Sequence, residues 1–384
     1  MESLTQDITV DILSRLPICS LICCRCVCKT WRTIISDPSF FTFQQQHFPF
    51  FDLFFQCICH SESGRRSEEC SQVSNFYLAF GNEDNLKEDD ERDFRLILRP
   101  CKEVHVPFII DLQKGFNGFL VVSTKSVIFF PSDPICVFNP ITREQLQLPC
   151  IQISPEFGVV KKFLSGFGFD DFTQEFKFVI LFFYVLRCTD VFESKSEMHV
   201  YSFRSNTWRK ETGNVPNVLL NTYQVFSYVF ANRSLYWAAI DIDNRFRIVS
   251  LHLGSEDFGE IQMPDLLMLE ENTSKQSHNF ALGLLEKCLS LVDYSHKNFI
   301  NIWQMKNDNG NDYWIKLFFI DIHHSFSLQA RSVMCLEYGK NPGVLFTMLK
   351  AAHVKTFVVA DVDGYFRAIP FVGCLFSNKA LGMM

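Results

Sequence analysis

Val200-Tyr-Ser-Phe-Arg-Ser-Asn-Thr-Trp208 reads as a strand, a polar turn and an aromatic return. The same unit recurs along the chain. Val137-Phe-Asn-Pro-Ile-Thr-Arg143 runs on to Leu148-Pro149, and Ile248-Val-Ser-Leu-His-Leu253 runs on to Phe258 and Met263-Pro264. Ile302-Trp-Gln-Met305 leads to Trp314, and Val358-Val-Ala-Asp-Val362 leads to Phe366. Counting between equivalent strands at Phe138, Phe203, Leu251, Trp303 and Val359 gives steps of 65, 48, 52 and 56 residues. Units near 50 residues with several short strands each are the mark of propeller blades, and about 340 residues at that period make roughly six or seven. A large β-sandwich is the alternative architecture.

Composition agrees with a strand-rich fold. Phe supplies 42 residues and aromatics reach 15%, which favours pleated surfaces where flat and branched side chains pack. Further strands are expected at Phe119–Val122, Val127–Phe130, Phe176–Phe183, Leu235–Ile240 and Trp314–Ile320, bounded by turn residues. Asn117-Gly118 and Asp363-Gly364 are tight-turn dipeptides. No long amphipathic helix is expected after residue 45. Asn82–Asp93, with seven acids and two bases, reads as a solvated loop.

Several function classes are disfavoured. The net charge is −7, and no basic stretch is present to replace phosphate counterions, so nucleic acid is not an expected partner. The longest apolar run is Phe178–Leu186, far short of the roughly 20 residues of a membrane helix. The first residues carry Glu2, Asp7 and Asp11 and do not resemble a secretion signal. The expectation is a soluble protein of the cytoplasm, the nucleus or both. The 15 cysteines are odd in number and irregular in spacing, unlike a disulfide framework. Cys19, Cys23, Cys24, Cys26 and Cys28 lack the second ligand pair of a zinc site and read as small core hydrophobes, and Cys57, Cys59 and His60 are read the same way. The Asn232-Arg-Ser234 and Asn272-Thr-Ser274 sequons are read as chance.

No catalytic motif emerges. The sequence has no Walker loop, dinucleotide glycine pattern, nucleophile elbow or HExxH. Gly166-Phe-Gly168 is a lone pair in a strand-turn context, and Asp170-Asp171 followed by Phe172-Thr173 reads as a hairpin turn. His323, His324 and His353 are read as ordinary surface or core histidines. The expectation is a protein without catalytic, metal or cofactor sites.

The first forty residues differ in kind. Ile8, Ile12 and Leu16 repeat at four-residue spacing, and Pro17 ends that run or opens the next turn. Cys24, Val27, Cys28, Trp31, Ile34 and Ile35 then form one apolar stripe at helical period, and Asp37-Pro38 marks the exit. So short a segment cannot bury much surface alone. It packs either on the downstream domain or on a partner, and composition does not choose.

The wording of this segment resembles an F-box. Leu4-Thr-Gln-Asp-Ile-Thr-Val-Asp-Ile12-Leu13-Ser-Arg15-Leu16-Pro17 matches its opening. Ser20-Leu21, Arg25-Cys-Val27-Cys28-Lys29-Thr-Trp31-Arg32 and Ile35-Ser-Asp37-Pro38-Ser39-Phe40 match its second half. Thr5 departs from the pattern, which usually has proline there. The resemblance implies a helical hairpin over residues 1–45 that docks on a Skp-type adaptor and, through it, a cullin. Carried over by position, the adaptor contacts would be Leu4, Ile12, Leu13, Leu16, Pro17, Leu21, Val27 and Trp31.

The β-rich remainder, 46–384, resembles the F-box-associated, kelch-like domain of a large plant family. Phe116-Asn-Gly-Phe119, Phe138-Asn-Pro-Ile-Thr-Arg143, Gly166-Phe-Gly-Phe-Asp170, Tyr201-Ser-Phe-Arg-Ser-Asn-Thr-Trp208, Leu235-Tyr-Trp237 and Glu256-Asp-Phe-Gly-Glu260 match in order. Arg233 departs, because the family commonly has glycine after this Asn. Together the resemblances imply a non-catalytic, substrate-recognition subunit of a Skp–cullin–F-box ubiquitin ligase, with an unknown target protein and unknown target-binding residues. Two other readings stay open. One is a free-standing propeller that binds its own ligand, and the other is an F-box adaptor, or a degenerate copy, acting outside the ligase.

Overall fold

The computed structural model describes residues 5–37, 39–40, 43–44, 52–59, 73–79, 86–89, 93–96, 119–123, 135–152, 159–188, 191–211, 215–220, 224–225, 228–243, 245–264, 280–285, 288–293, 299–308, 311–321, 336–340, 344–350, 353–359, 365–371 and 374–375. Three short helices come first: α1 (Gln6–Ser14), α2 (Ile18–Cys24) and α3 (Lys29–Ser36). Strands then dominate: β1 (Asp52–Cys59), β2 (Val73–Ala79), β3 (Leu86–Asp89), β4 (Asp93–Leu96), β5 (Leu120–Ser123), β6 (Ile135–Phe138), β7 (Gln145–Gln147) and β8 (Val159–Asp170). After β9 (Glu175–Cys188), β10 (Val191–Ser202) and β11 (Thr207–Glu211) comes a single turn of helix, α4 (Asn217–Leu220). The chain continues through β12 (Gln224–Val225), β13 (Val229–Ala231), β14 (Ser234–Ile240), β15 (Phe246–His252), β16 (Phe258–Ile261), β17 (Phe280–Leu285), β18 (Cys288–Asp293) and β19 (Phe299–Asp308). It closes with β20 (Asn311–Asp321), β21 (Leu336–Lys340), β22 (Val344–Lys350), β23 (His353–Val359) and β24 (Tyr365–Phe371).

Among the described residues these strands form six sheets, four of them four-stranded, and every strand pair is antiparallel save β23 with β4. Consecutive strands build β5-β6-β7, β8-β9-β10-β11, β12/β13-β14-β15-β16 and β17-β18-β19-β20. This is the propeller-like arrangement that the 50-residue period implied. Three of the five repeat anchors fall at matching places: Leu251 lies in β15 and Trp303 in β19, each the third strand of its sheet, and Phe203 directly follows β10. The first and last parts of the chain share a sheet, because β1 pairs with β24 from Asp52↔Phe371 to Ile58↔Tyr365. Such pairing fastens the two ends of the chain in one sheet, as radial repetition of sheets requires, and leaves β2 and β21 as its edges.

The apolar run Phe178–Leu186 lies within β9. Residues Phe176–Tyr184 are all buried, because β8 and β10 cover the edges of β9 and neighbouring sheets cover both its faces. A strand buried on both sides reads as an uninterrupted apolar stretch. Phenylalanine fills this core: Phe167 stacks on Phe176 at 5.5 Å between ring centroids, and Phe169 meets the same ring edge-on at 5.0 Å. Among the described residues no helix is long and apolar enough to cross a membrane.

The inter-sheet contacts explain Gly166 and Gly168. Both sit near the end of β8, just before the hairpin turn at 171–174, which is the strand-turn context expected. A Cβ on Gly166 would meet Leu235 Cδ1 at 2.5 Å, and one on Gly168 would meet Phe230 Cδ2 at 2.4 Å. Both partners belong to the next sheet, so glycine sets how closely the two can approach. Tryptophans staple the sheets from outside. Trp208 on β11 donates its indole N–H to the Pro149 carbonyl at 2.7 Å, and Trp314 on β20 donates to the Gln262 carbonyl at 2.7 Å. Each acceptor closely follows the outermost strand of the preceding sheet, so one device is used twice.

Three expectations need correction. The stripe Cys24–Ile35 is not one helix: α2 ends at Cys24, and Cys28 is extended (φ −156°) as the N-cap of α3. Val27 therefore sits in a turn, 65% exposed, and not on a helix face. Nor do most of the cysteines of this region pack as core residues: among the described residues Cys23, Cys26 and Cys28 are exposed, Cys24 packs partly against the helical core, and the Cys19 side chain lies outside what the structure describes. Cys28 instead accepts a hydrogen bond at Sγ from Trp31 N at 3.4 Å. Finally, 82–93 is not simply a loop. Leu86–Asp89 forms β3 and pairs with β4, because backbone pairing satisfies a short acidic segment as well as water does. Val127–Phe130, Asn117-Gly118, Asp363-Gly364, His60, His323, His324 and the Asn272 sequon lie outside the described residues.

Candidate functional site

The three helices make a small module with two faces. Thr5 caps α1 in an extended conformation (φ −62°, ψ 152°), and Asp7 in the first turn suits the positive end of the helix dipole. Pro17 is the N-cap of α2, where its missing N–H costs nothing. Asp37 stops α3 by turning extended, and its Oδ1 accepts from Ser39 N at 2.8 Å. The inner face is one apolar cluster of Leu13, Ile18, Leu21, Ile34, Ile35 and Phe40, with Val10, Leu16, Cys24 and Trp31 packed partly against it.

Among the described residues the module also leaves large apolar side chains open on its outside. Ile8 is 47% exposed, Ile12 46%, Ile22 40%, Val27 65% and Phe43 47%. Five large apolar side chains on three short helices and their flanks are more than scattered surface residues. The eight residues singled out from sequence therefore divide. Ile12 and Val27 lie on the open face. Leu16, Pro17 and Trp31 are half-buried, and Leu13 and Leu21 are fully inside. Leu4 lies outside the described residues. Ile8, Ile22 and Phe43 join the open face although they were not singled out. For Ile8 the signal was present, since it precedes Ile12 by one helical turn.

A second structured feature joins the module to the β-domain. Asn139, completely buried, closes the turn between β6 and β7. Its Oδ1 accepts from Ile141 N at 2.9 Å and from Thr142 N at 3.2 Å, and Arg143 takes positive φ (62°) to complete the turn. Its Nδ2 donates to the Cys374 carbonyl at 3.2 Å.

Two clusters of ionisable groups lie within the β-domain. Lys177 on β9 meets Asp170 Oδ2 at 2.9 Å, Glu256 Oε1 at 3.3 Å and the Leu253 carbonyl at 2.9 Å. Burial alone would raise the Asp170 pKa, but hydrogen bonds from Thr173, Lys177 and the Phe172 N–H, with the Lys177 charge, hold it below the usual carboxylate range. Asp170 also accepts from Phe172 N and Thr173 Oγ1 within the hairpin turn, as the sequence suggested. In the second cluster, Glu197 is buried between His199, Tyr184 and Lys210. Burial holds the His199 imidazole below its ordinary range against the upward pull of Glu197, and burial then Glu197 push the Tyr184 phenol up. Both clusters turn their charges on one another and brace strands. Among the described residues, no group of three or more His, Cys, Asp or Glu could hold a metal ion.

Asn232 and Arg233 both take positive φ (45° and 64°), so Arg233 accepts the backbone strain that glycine would avoid. Its Nε pairs with Asp171 Oδ2 at 2.8 Å across the neighbouring hairpin.

Comparison with known proteins agrees with this two-part construction. The F-box domain matches residues 1–43, and the F-box associated beta propeller domain matches residues 91–377. The chain is 25% identical over 323 residues to the Arabidopsis thaliana F-box/kelch-repeat protein At3g23880, covering 82% of this chain and 79% of the relative. It is 22% identical over 340 residues to the F-box protein CPR1 of the same plant, covering 83% and 73%. A third relative, the Arabidopsis F-box protein At3g07870, is 25% identical over 346 residues, covering 82% and 72%. The chain therefore belongs to the family of F-box proteins with an F-box-associated β-propeller domain.

Proposed function

We propose that this protein is the substrate-recognition subunit of a Skp–cullin–F-box ubiquitin ligase. The observation that carries the reading is the open apolar face of the N-terminal helices. Ile8, Ile12, Ile22, Val27 and Phe43 are 40–65% exposed on an element that matches the F-box. Taking a large apolar side chain from full exposure to full burial is worth about 1.5–3 kcal/mol, so each of these half-covered ones would add roughly half that, and several together would help to hold an adaptor. In this reading Ile12 and Val27 touch the adaptor directly, with the half-buried Leu16, Pro17 and Trp31 at the margin, and Leu4 is a contact only as the family resemblance implies. Leu13 and Leu21 shape the surface from beneath. The contact is of the helix-in-groove kind.

The β-domain holds the target, and the F-box tethers it to the adaptor and so to the cullin. A partner enzyme then delivers ubiquitin. The protein contributes effective concentration and orientation, with no reacting group of its own. On the same reading it works in the cytoplasm, the nucleus or both. Reconstitution tests this. The purified chain mixed with a plant Skp-type adaptor and a cullin should co-elute as one assembly. Separate elution of the folded chain would sink the proposal and leave the β-domain to act alone.

A further inference from the structure

We propose that the segment Cys374–Leu375, near the end of the chain, is a strap that locks the F-box helices onto the β-domain in one orientation. Leu375, 5% exposed, belongs to the same apolar cluster as Leu13, Leu21, Ile34 and Ile35, so the core of the helical module is completed by a residue more than 300 positions away. Ile141, from the turn between β6 and β7, packs against that cluster as well. The three parties meet at Asn139. Its Oδ1 shapes the turn that presents Ile141, while its Nδ2 grips the Cys374 carbonyl at 3.2 Å, with Cys374 Sγ at 3.3 Å. Cys374 is wholly buried and belongs to the main core of the β-domain, the same cluster as Phe119 and Phe176. Adjacent residues of the tail thus enter two different cores: Cys374 that of the β-domain and Leu375 that of the helices. A segment pinned on both sides transmits orientation, where a plain linker would only tether.

The inference stands on packing and does not need the ligase reading. Together with that reading, it means that a target on the β-domain is presented to the ubiquitin-carrying partner at a set angle.

Two substitutions in the full-length chain separate the strap from the turn. Asn139→Asp keeps an oxygen for Ile141 N and Thr142 N but removes the donor to Cys374. Leu375→Ala leaves the turn untouched and removes the side chain in the helical core. Hydrogen exchange should show α1–α3 amides exchanging roughly tenfold faster or more in both variants, with β9 and β10 amides unchanged. Unchanged protection of α1–α3 in both would overturn the proposal. So would loss of protection throughout β9 and β10 in both, since the tail would then belong to the β-domain alone. Neither readout involves an adaptor, so failure here leaves the proposed function standing, and the reverse also holds.

Discussion

Gly168→Ala should destabilise this protein although alanine is the better strand residue. The added methyl would sit 2.4 Å and 2.5 Å from two carbons of the Phe230 ring and 2.7 Å from Leu253 Cδ1. Ordinary carbon contacts begin near 3.5 Å, so the overlap is about 1 Å on two sides. Leu253 is fully buried and Phe230 is packed against the main core, so neither can swing away freely. Overpacking of this kind costs about 1–3 kcal/mol. Losing a glycine from the unfolded chain offsets about 0.4–1 kcal/mol. The expected net loss is therefore about 1–2 kcal/mol. Gly259→Ala is the control, since its Cβ would meet only the Ser250 hydroxyl at 2.9 Å. Urea unfolding of both variants beside the parent measures the difference. A Gly168→Ala protein as stable as the parent would refute the claim that this glycine sets the spacing between sheets.

Three further substitutions probe separate parts of the account. Asp170→Asn strips the buried Lys177 of its closest carboxylate and should cost about 3 kcal/mol at neutral pH, with Glu256 still nearby. Because the folded pKa of Asp170 is depressed, its contribution is complete above the ordinary carboxylate range and fades as pH falls through the lowered value. The variant's stability should therefore fall less steeply on acidification, which pH-dependent denaturation reads directly; parallel curves would count against the ion pair. Thr5→Pro should be tolerated and gain about 0.4–1 kcal/mol, since φ is already −62°, and a drop in the thermal midpoint would contradict this. Arg233→Gly should relieve about 1–2 kcal/mol of left-handed strain while losing an exposed ion pair worth at most about 1 kcal/mol and gaining glycine's entropy cost. Equal or slightly higher stability is expected, and a loss above about 1 kcal/mol would mean that the Asp171 contact dominates.

Much of the architecture was legible because its signals are local. The unit Val200–Trp208 is the β10–β11 hairpin, with Asn206 at positive φ where the polar turn was read, and its spacing from Leu251 and Trp303 shows the stacking of sheets. What escaped depends on residues distant in sequence. Gly166 and Gly168 look like loose punctuation until Leu235 and Phe230 press against them from the next sheet. Asn139 reads as a turn residue, and nothing in its neighbourhood announces a carbonyl 235 positions away. The apolar period of residues 24–35 counted contacts but not the extended Cys28 that breaks the helix. In the functional module, sequence similarity marked the right segment without distinguishing residues that face outward from those that hold the module together. Ile12 and Leu13 are neighbours in the chain, yet one is 46% exposed and the other 1%.

That division decides how the central claim should be tested. Leu16 and Trp31 pack on the helical core, so changing them would mix folding with binding. Ile12→Asp with Val27→Asp alters only the open face. Calorimetric titration of a plant Skp-type adaptor into the intact chain and into this double variant is the most direct measurement. The account predicts a Kd of about 1 μM or tighter for the intact chain and at least roughly 100-fold weaker binding for the variant, with an unchanged unfolding midpoint. Equal affinity for the two proteins, or no binding by either while both are folded, would contradict it.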